Sequence, residues 1–204
     1  MGSAADFFPK RTTLPALRKA AADCRGCDLY RDATQTVFGE GPNDAGIVMV
    51  GEQPGDKEDL AGKPFVGPAG GLLDRAIEEA GLVRDDIYFT NVVKHFKHVM
   101  RGKRRIHKKP DLEEIRACIP WLEAELARIE PRALVLLGAT AAQAILGRTF
   151  RVTQHRGEFV DSSLAPLVTA TVHPSSILRS RTDEERRSAF DAFVEDLRRI
   201  ARAA

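Results

Sequence analysis

The chain has 204 residues, 43% hydrophobic and 29% charged, with a formal net charge of +2. That size allows one continuous core, so a single domain over residues 1–204 is expected. No run approaches the ~18 apolar residues of a membrane span, Met1 to Lys10 lacks an apolar secretory core, and three cysteines are too few for a disulfide scaffold. The expectation is a cytoplasmic monomer without membrane contact.

In chain order, a helix from Leu14 to Ala22 comes first, followed by Cys24-Arg25-Gly26-Cys27. A redox C-x-x-C pair normally follows a strand and opens a helix. This one follows a helix and precedes a Tyr-Arg-Asp turn, a setting that suits metal ligation better. A β-branched apolar run over 47–50 then ends in Gly51-Glu52-Gln53-Pro54-Gly55, and Gly62-Lys63-Pro64-Phe65-Val66-Gly67 leads into a helix from Gly70 to Ala80. Leu72, Leu73, Ala76 and Ile77 recur there at helical spacing. A second strand is predicted over 87–93. The stretch from His95 to Pro110 carries no periodicity, and Arg101 to Lys109 holds six Lys or Arg and no acid. Such a run is either a phosphate-binding patch or a solvated basic loop.

Asp111 to Ile129 repeats the helical pattern with Leu112, Ile115, Ile119, Leu122, Leu126 and Ile129. A strand over 133–138, a short helix from Ala139 to Leu146 and a strand over 167–172 follow. The last of these strands ends in His173-Pro174-Ser175-Ser176, and a helix from Asp183 to Ala203 closes the chain. Strands alternating with helices predict an α/β fold, a three-layer α/β/α sandwich around a mainly parallel four-stranded sheet. Ligands of such sheets bind at the carboxyl ends of strands. The chemistry is therefore expected where Glu52 and His173 meet.

The GEQPG, GKPFVG and HPSS segments resemble the uracil-DNA glycosylase superfamily, nearest its iron–sulfur branch, family four. The segment Lys103-Arg104-Arg105-Ile106-His107 looks like the loop of UdgX, a member of the superfamily that becomes covalently attached to uracil-containing DNA. The resemblance runs from Cys24 to about Leu178. It implies a [4Fe–4S] cluster held by Cys24, Cys27, Cys118 and, where the family carries a third cysteine, His95. Three thiolates and an imidazole also suit tetrahedral zinc, and histidine ligates iron in Rieske centres.

A base-acting enzyme must extrude its target, stack on the face and read the edge. Phe65, in a Gly-Pro-rich loop, is the expected stacking platform. Asn91, an amide on an apolar strand, can match uracil's N3–H and O4. Gly55 lets the backbone approach the base. Gln53 stands where the family carries a small residue and resembles the UdgX motif; it is expected to hold the base or to position the attacking group. Cleavage puts positive charge on the sugar and negative charge on uracil. His173 is expected at uracil's O2, Glu52 at the sugar or at a nucleophile's proton, and Asp59 as a tuner of Glu52. Ser175 and Arg105 are expected to contact phosphate, with Arg104 and Arg105 lowering the proton affinity of His107.

The implied reaction is excision of uracil from DNA, single-stranded or flipped out of a duplex, with His107 attacking C1′ to leave protein and DNA joined. A conventional turnover glycosylase and a noncatalytic nucleic-acid-binding module are the alternatives.

Overall fold

The structure is a computed structural model that describes residues 2–204. Seven strands and eight α-helices occur among these residues. The strands are β1 (Ile47–Gly51), β2 (Ile87–Asn91), β3 (His98–Arg101), β4 (Arg104–His107), β5 (Ala133–Leu137), β6 (Phe159–Val160) and β7 (Leu167–Thr171). The helices are α1 (Leu14–Ala21), α2 (Asp56–Ala61), α3 (Pro68–Glu79), α4 (Leu112–Ile129), α5 (Ala139–Leu146), α6 (Val152–His155), α7 (Pro174–Leu178) and α8 (Asp183–Ala203).

The main sheet runs β2-β1-β5-β7-β6. Its first three pairings are parallel, and β6 pairs antiparallel with β7. The sheet therefore has five strands rather than the expected four. The additional strand is two residues long and too short to show any alternation. β1 pairs with β2 on one side and β5 on the other, so the chain reverses direction across the sheet at β1, and a crevice opens at the carboxyl ends of β1 and β5.

Period-two alternation sends neighbouring side chains into two separate cores. Val48, Val50, Leu134, Leu136, Val168 and Ala170 pack with Leu17 of α1 and with Trp121, Leu122 and Leu126 of α4. Met49, Ile87, Phe89, Val135 and Leu137 pack on the opposite face with Leu73 and Ile77 of α3 and with Phe193 and Leu197 of α8. Burial on both faces accounts for the nearly continuous apolar strand sequences. At about 1.5–3 kcal/mol for each fully buried aliphatic or aromatic side chain, these two layers fix the strand ends on which the site is built. No helix among the described residues is long and apolar enough to cross a membrane.

The basic stretch is not irregular. β3 and β4 form a separate antiparallel hairpin, with His98 opposite His107 and Arg101 opposite Arg104. Gly102, at φ +61°, takes the first position of its two-residue turn, the place where a tight hairpin needs glycine. The second strand also ends earlier than expected, at Asn91, because the chain leaves the sheet there to carry residues 92–97 toward the hairpin.

Candidate active site

A cavity of about 770 Å³ opens at the carboxyl ends of the strands, lined by Glu52, Gln53, Gly55, Phe65, Asn91, His107, Thr140, His173 and Ser175 among others. Glu52 follows β1, Asn91 ends β2, Thr140 opens α5 after β5, and His173 follows β7. Four strand ends thus contribute to one site.

Asn91 is buried at the cavity wall, and its side-chain amide makes no hydrogen bond among the described residues. A Cβ on Gly51 would collide with the Asn91 amide oxygen and lie 2.8 Å from the Phe65 ring, so the close approach requires glycine. Phe65 is itself buried and sits at φ +54°. A left-handed non-glycine residue costs about 1–3 kcal/mol and persists only where its surroundings enforce it. Here Glu58 does so by accepting the Gly67 N–H at 2.7 Å. The Phe65 ring lies nearly parallel to that of His173, with centroids 6.2 Å apart.

His173 is the N-cap of α7, and its Nδ1 accepts the Ser175 N–H at 3.1 Å. With Nδ1 occupied as an acceptor, the neutral ring carries its proton on Nε2. Burial pushes the His173 pKa down to about 4, against the opposing pull of the Glu52 charge. The ring is therefore a neutral N–H donor at physiological pH. Ser175 does not stand free to hold a phosphate as expected. Its N–H and Oγ both turn onto His173 Nδ1, and its Oγ also accepts from Arg179.

Glu52 accepts a hydrogen bond from the Thr140 hydroxyl at one oxygen and lies 3.3 Å from His107 Nε2 at the other. Burial pushes its pKa up, but hydrogen bonds from His107 and Thr140 and the two nearby imidazoles outweigh this and hold it below the usual carboxylate range. Thr140 escaped the sequence reading. The signal available was its place just past a third strand end.

The hairpin carrying His107 is tied down at three points. Gln53 donates from Nε2 to the carbonyls of Lys97 and Lys108 and accepts the Lys97 N–H at Oε1. These residues immediately precede β3 and follow β4, so Gln53 clamps the base of the ribbon and positions the residue that carries the imidazole. Lys97 Nζ pairs with Asp111 at 3.0 Å and Glu114 at 2.6 Å, the capping-box residues of α4. Arg105 spans Asp56 (2.6 Å) and the fully buried Asp59 (2.5 Å) and also reaches Thr34. Two expectations change here. Arg105 is neutralised by two carboxylates and does not offer its charge to DNA phosphate or to His107. Asp59 is committed to Arg105 and to the Thr34 N–H, so it anchors the hairpin and does not tune Glu52. Local sequence patterns cannot reveal pairings across 46 residues.

Removing the Gln53 clamp should loosen the ribbon more than the base pocket. Gln53→Ala is expected to lower the yield of any His107-dependent product about tenfold per base released, the scale of a lost positioning contact. Single-turnover assays that score both products would check this.

Cys24 and Cys27 are buried in the same core as Cys118 of α4, near enough to act on its charge. Burial, with the neighbouring thiols adding to it, pushes Cys118 up to about 12. Trp121 Nε1 donates to Cys24 Sγ at 3.3 Å and the Lys94 N–H to Cys118 Sγ at 3.2 Å. N–H groups aimed at sulfur are the support that thiolate ligands use. His95 lies against Thr36, with Nε2 2.9 Å from Oγ1. The Thr36 hydroxyl donates to the Ala21 carbonyl, so it accepts from His95 Nε2–H and leaves the Nδ1 lone pair for ligation. Desolvation pushes the His95 pKa down to about 4, which keeps the ring neutral. The donor set fits a thiophilic metal group. However, no three His, Cys, Asp or Glu side chains among the described residues close to single-ion distances.

The family model for the uracil DNA glycosylase superfamily matches residues 38–198. The chain is 41% identical to a type-4 uracil-DNA glycosylase of Thermotoga maritima over 182 residues, 89% of this chain and 91% of that protein. Type-4 enzymes of Archaeoglobus fulgidus (37% identity, 84% of this chain and 87% of the relative) and Pyrobaculum aerophilum (33%, 81% and 85%) are also similar.

Proposed function

The chain belongs to the uracil-DNA glycosylase superfamily, and from that premise we propose that it excises uracil from DNA and captures the resulting sugar through His107. Excision is supported by relatives named as uracil-DNA glycosylases and by a cavity that joins an aromatic face, a free amide and a neutral imidazole donor. Capture rests on one observation, the 3.3 Å approach of His107 Nε2 to Glu52 within that cavity.

In this reading Phe65 stacks on the flipped base and Asn91 pairs with its N3–H and O4. The C1′–N1 bond breaks with its electron pair going to uracil. The Nε2–H of His173 meets the charge arriving on O2, and anionic Glu52 faces the positive charge developing on the sugar. In the imidazolium form, His107 gives its Nε2 proton to Glu52. The freed lone pair closes a bond to C1′, and the carboxyl proton leaves with the uracil anion. The ring, now bonded to C1′, carries the positive charge until Nδ1 loses its proton to solvent. Water in place of His107 would complete the conventional turnover reaction, which the type-4 relatives' names support equally well. Denaturing electrophoresis with a uracil-containing oligonucleotide separates the two. Capture leaves a slow, heat-resistant band, whereas turnover leaves alkali-cleavable strand in excess of protein.

We further read Cys24, Cys27, Cys118 and His95 as holders of a [4Fe–4S] cluster, in line with the family-four resemblance. Three buried thiols and a neutral imidazole are soft donors that suit iron–sulfur ligation, and the relatives named as type-4 enzymes favour that reading over zinc. Held by these residues, such a group would cross-link the Cys24–Cys27 loop to α4 and to the segment after β2. Purified protein is expected to be brown, with absorbance near 400 nm that is lost on iron chelation. A colourless protein releasing one zinc would overturn the assignment.

The depressed pKa of His173 sets an acid limb. Below the ordinary histidine value of 6.5 the neutral ring stays held by the Ser175 N–H at Nδ1, so first-turnover uracil release should stay level from pH 8 to about 5; it should fall toward pH 4, where protonation of Nδ1 breaks that cap and releases the ring from its aim at O2. The stability linkage has a matching sign. The unfolded chain takes up this proton first, so the folded state loses stability as pH falls from about 6.5 toward 4. A rapid-quench pH series reads the first effect and thermal melting the second.

A further inference from the structure

The hairpin has two faces with different occupants. Register places Arg105 and His107 on the inner face, committed to the carboxylates and to the cavity. Val99, Ile106, Arg101 and Arg104 share the outer face, as two directly opposed pairs. Val99 is 48% and Ile106 41% exposed, an apolar platform that no other element covers among the described residues. Beside it Arg101 faces Arg104. Like charges directly opposite one another destabilise a ribbon, and neither has a carboxylate partner among the described residues. Lys103, Lys108 and Lys109 are also free of ion pairs there. The ribbon thus holds a repulsive pair of guanidinium groups beside an exposed apolar pair, which is unfavourable in the unliganded protein and suited to an anion with an apolar face attached.

We infer that the outer face of the β3–β4 ribbon is a docking surface for single-stranded DNA next to the uracil site, with a phosphate between Arg101 and Arg104 and an unpaired base on Val99 and Ile106. This rests on the excision reading, because DNA is taken as the substrate. One strand must reach the cavity beneath the ribbon and also lie over its outer face. A single strand can wrap round the ribbon edge, but a duplex, with a persistence length of about 150 bp, cannot. The platform also has no access to base faces stacked inside a duplex. Cationic grooves joined to surfaces on which bases stack are the general solution for single strands. The surface therefore commits the protein to unpaired DNA.

The test uses uracil-free DNA, so its result is independent of whether uracil is excised or captured. Fluorescence anisotropy would follow full-length protein binding a labelled oligothymidine and the same strand annealed to oligoadenine. Wild type should bind the single strand at least tenfold more tightly. Val99→Ser with Ile106→Ser should weaken single-strand binding about tenfold at an unchanged salt slope. Arg101→Gln with Arg104→Gln should weaken it similarly and flatten the slope of log affinity against log salt by about 0.7, the value expected for one phosphate contact on a single strand. The arginine variant should also melt at the same temperature as wild type or higher, because a repulsion is removed; this separates lost docking from lost folding. Equal wild-type affinity for strand and duplex, or single-strand binding unmoved by both double variants, would overturn the proposal.

Discussion

His107→Ala is expected to convert the protein from a single-use agent into a turnover enzyme. The heat-resistant complex with uracil-containing DNA should vanish, and abasic product should accumulate beyond the enzyme added. The change removes a half-exposed side chain and should alter stability by no more than about 0.5 kcal/mol. Thr140 still donates to Glu52, although the largest lowering influence on that carboxyl goes with His107, and the vacated volume admits water at the position from which the imidazole attacked. A carboxylate in place to orient that water can supply general-base catalysis, so the first round of uracil release should stay within about tenfold of wild type. Loss of uracil release together with the complex would mean that His107 serves bond cleavage itself. Gel-resolved adduct and abasic product, counted against enzyme, distinguish these results.

The second large effect is expected at His173. Its Nδ1 caps α7, so truncation to alanine would confuse a structural loss with a chemical one. His173→Asn retains a short polar acceptor of the kind favoured at N-caps but shortens the side chain and withdraws the Nε2–H. First-turnover release should fall about 10²–10³-fold, the usual cost of one donor to a developing oxyanion, with little change in melting temperature. The acid limb near pH 4 assigned to this imidazole should also disappear from whatever activity remains. A loss of ten-fold or less with the limb intact would mean that another donor meets O2.

The main architecture was legible because its signals are local. Apolar runs ending in Gly51-Glu52 and in His173-Pro174 mark strand ends, and the spacing of Leu72, Leu73 and Ile77 marks α3. The strand-end rule pointed to Glu52 and His173, and Asn91, singled out as an amide on an apolar strand and by the family resemblance, lines the same cavity. What was misread depends on contacts between distant segments. Gln53 answers to the carbonyls of Lys97 and Lys108, 44 and 55 residues away, so its purpose as a hairpin clamp has no local signature. Arg105 reads as one more cation in a basic run, and only the fold shows that Asp56 and Asp59 neutralise it. Ser175 reads as a phosphate ligand until its turn closes on His173. The hairpin left a faint trace in the alternation of Val99 and Ile106 around Gly102, but the basic residues obscured it.

The central claim is that one imidazole of this chain ends bonded to C1′ of the sugar. The most direct measurement is mass spectrometry of wild-type protein after incubation with an equimolar uracil-containing single strand, first intact and then after digestion. The account predicts a species with the mass of protein plus oligonucleotide minus one uracil, and a modified peptide whose added sugar maps to His107. Unmodified protein alongside abasic strand in molar excess, or a cross-link mapped to any other residue, would contradict it.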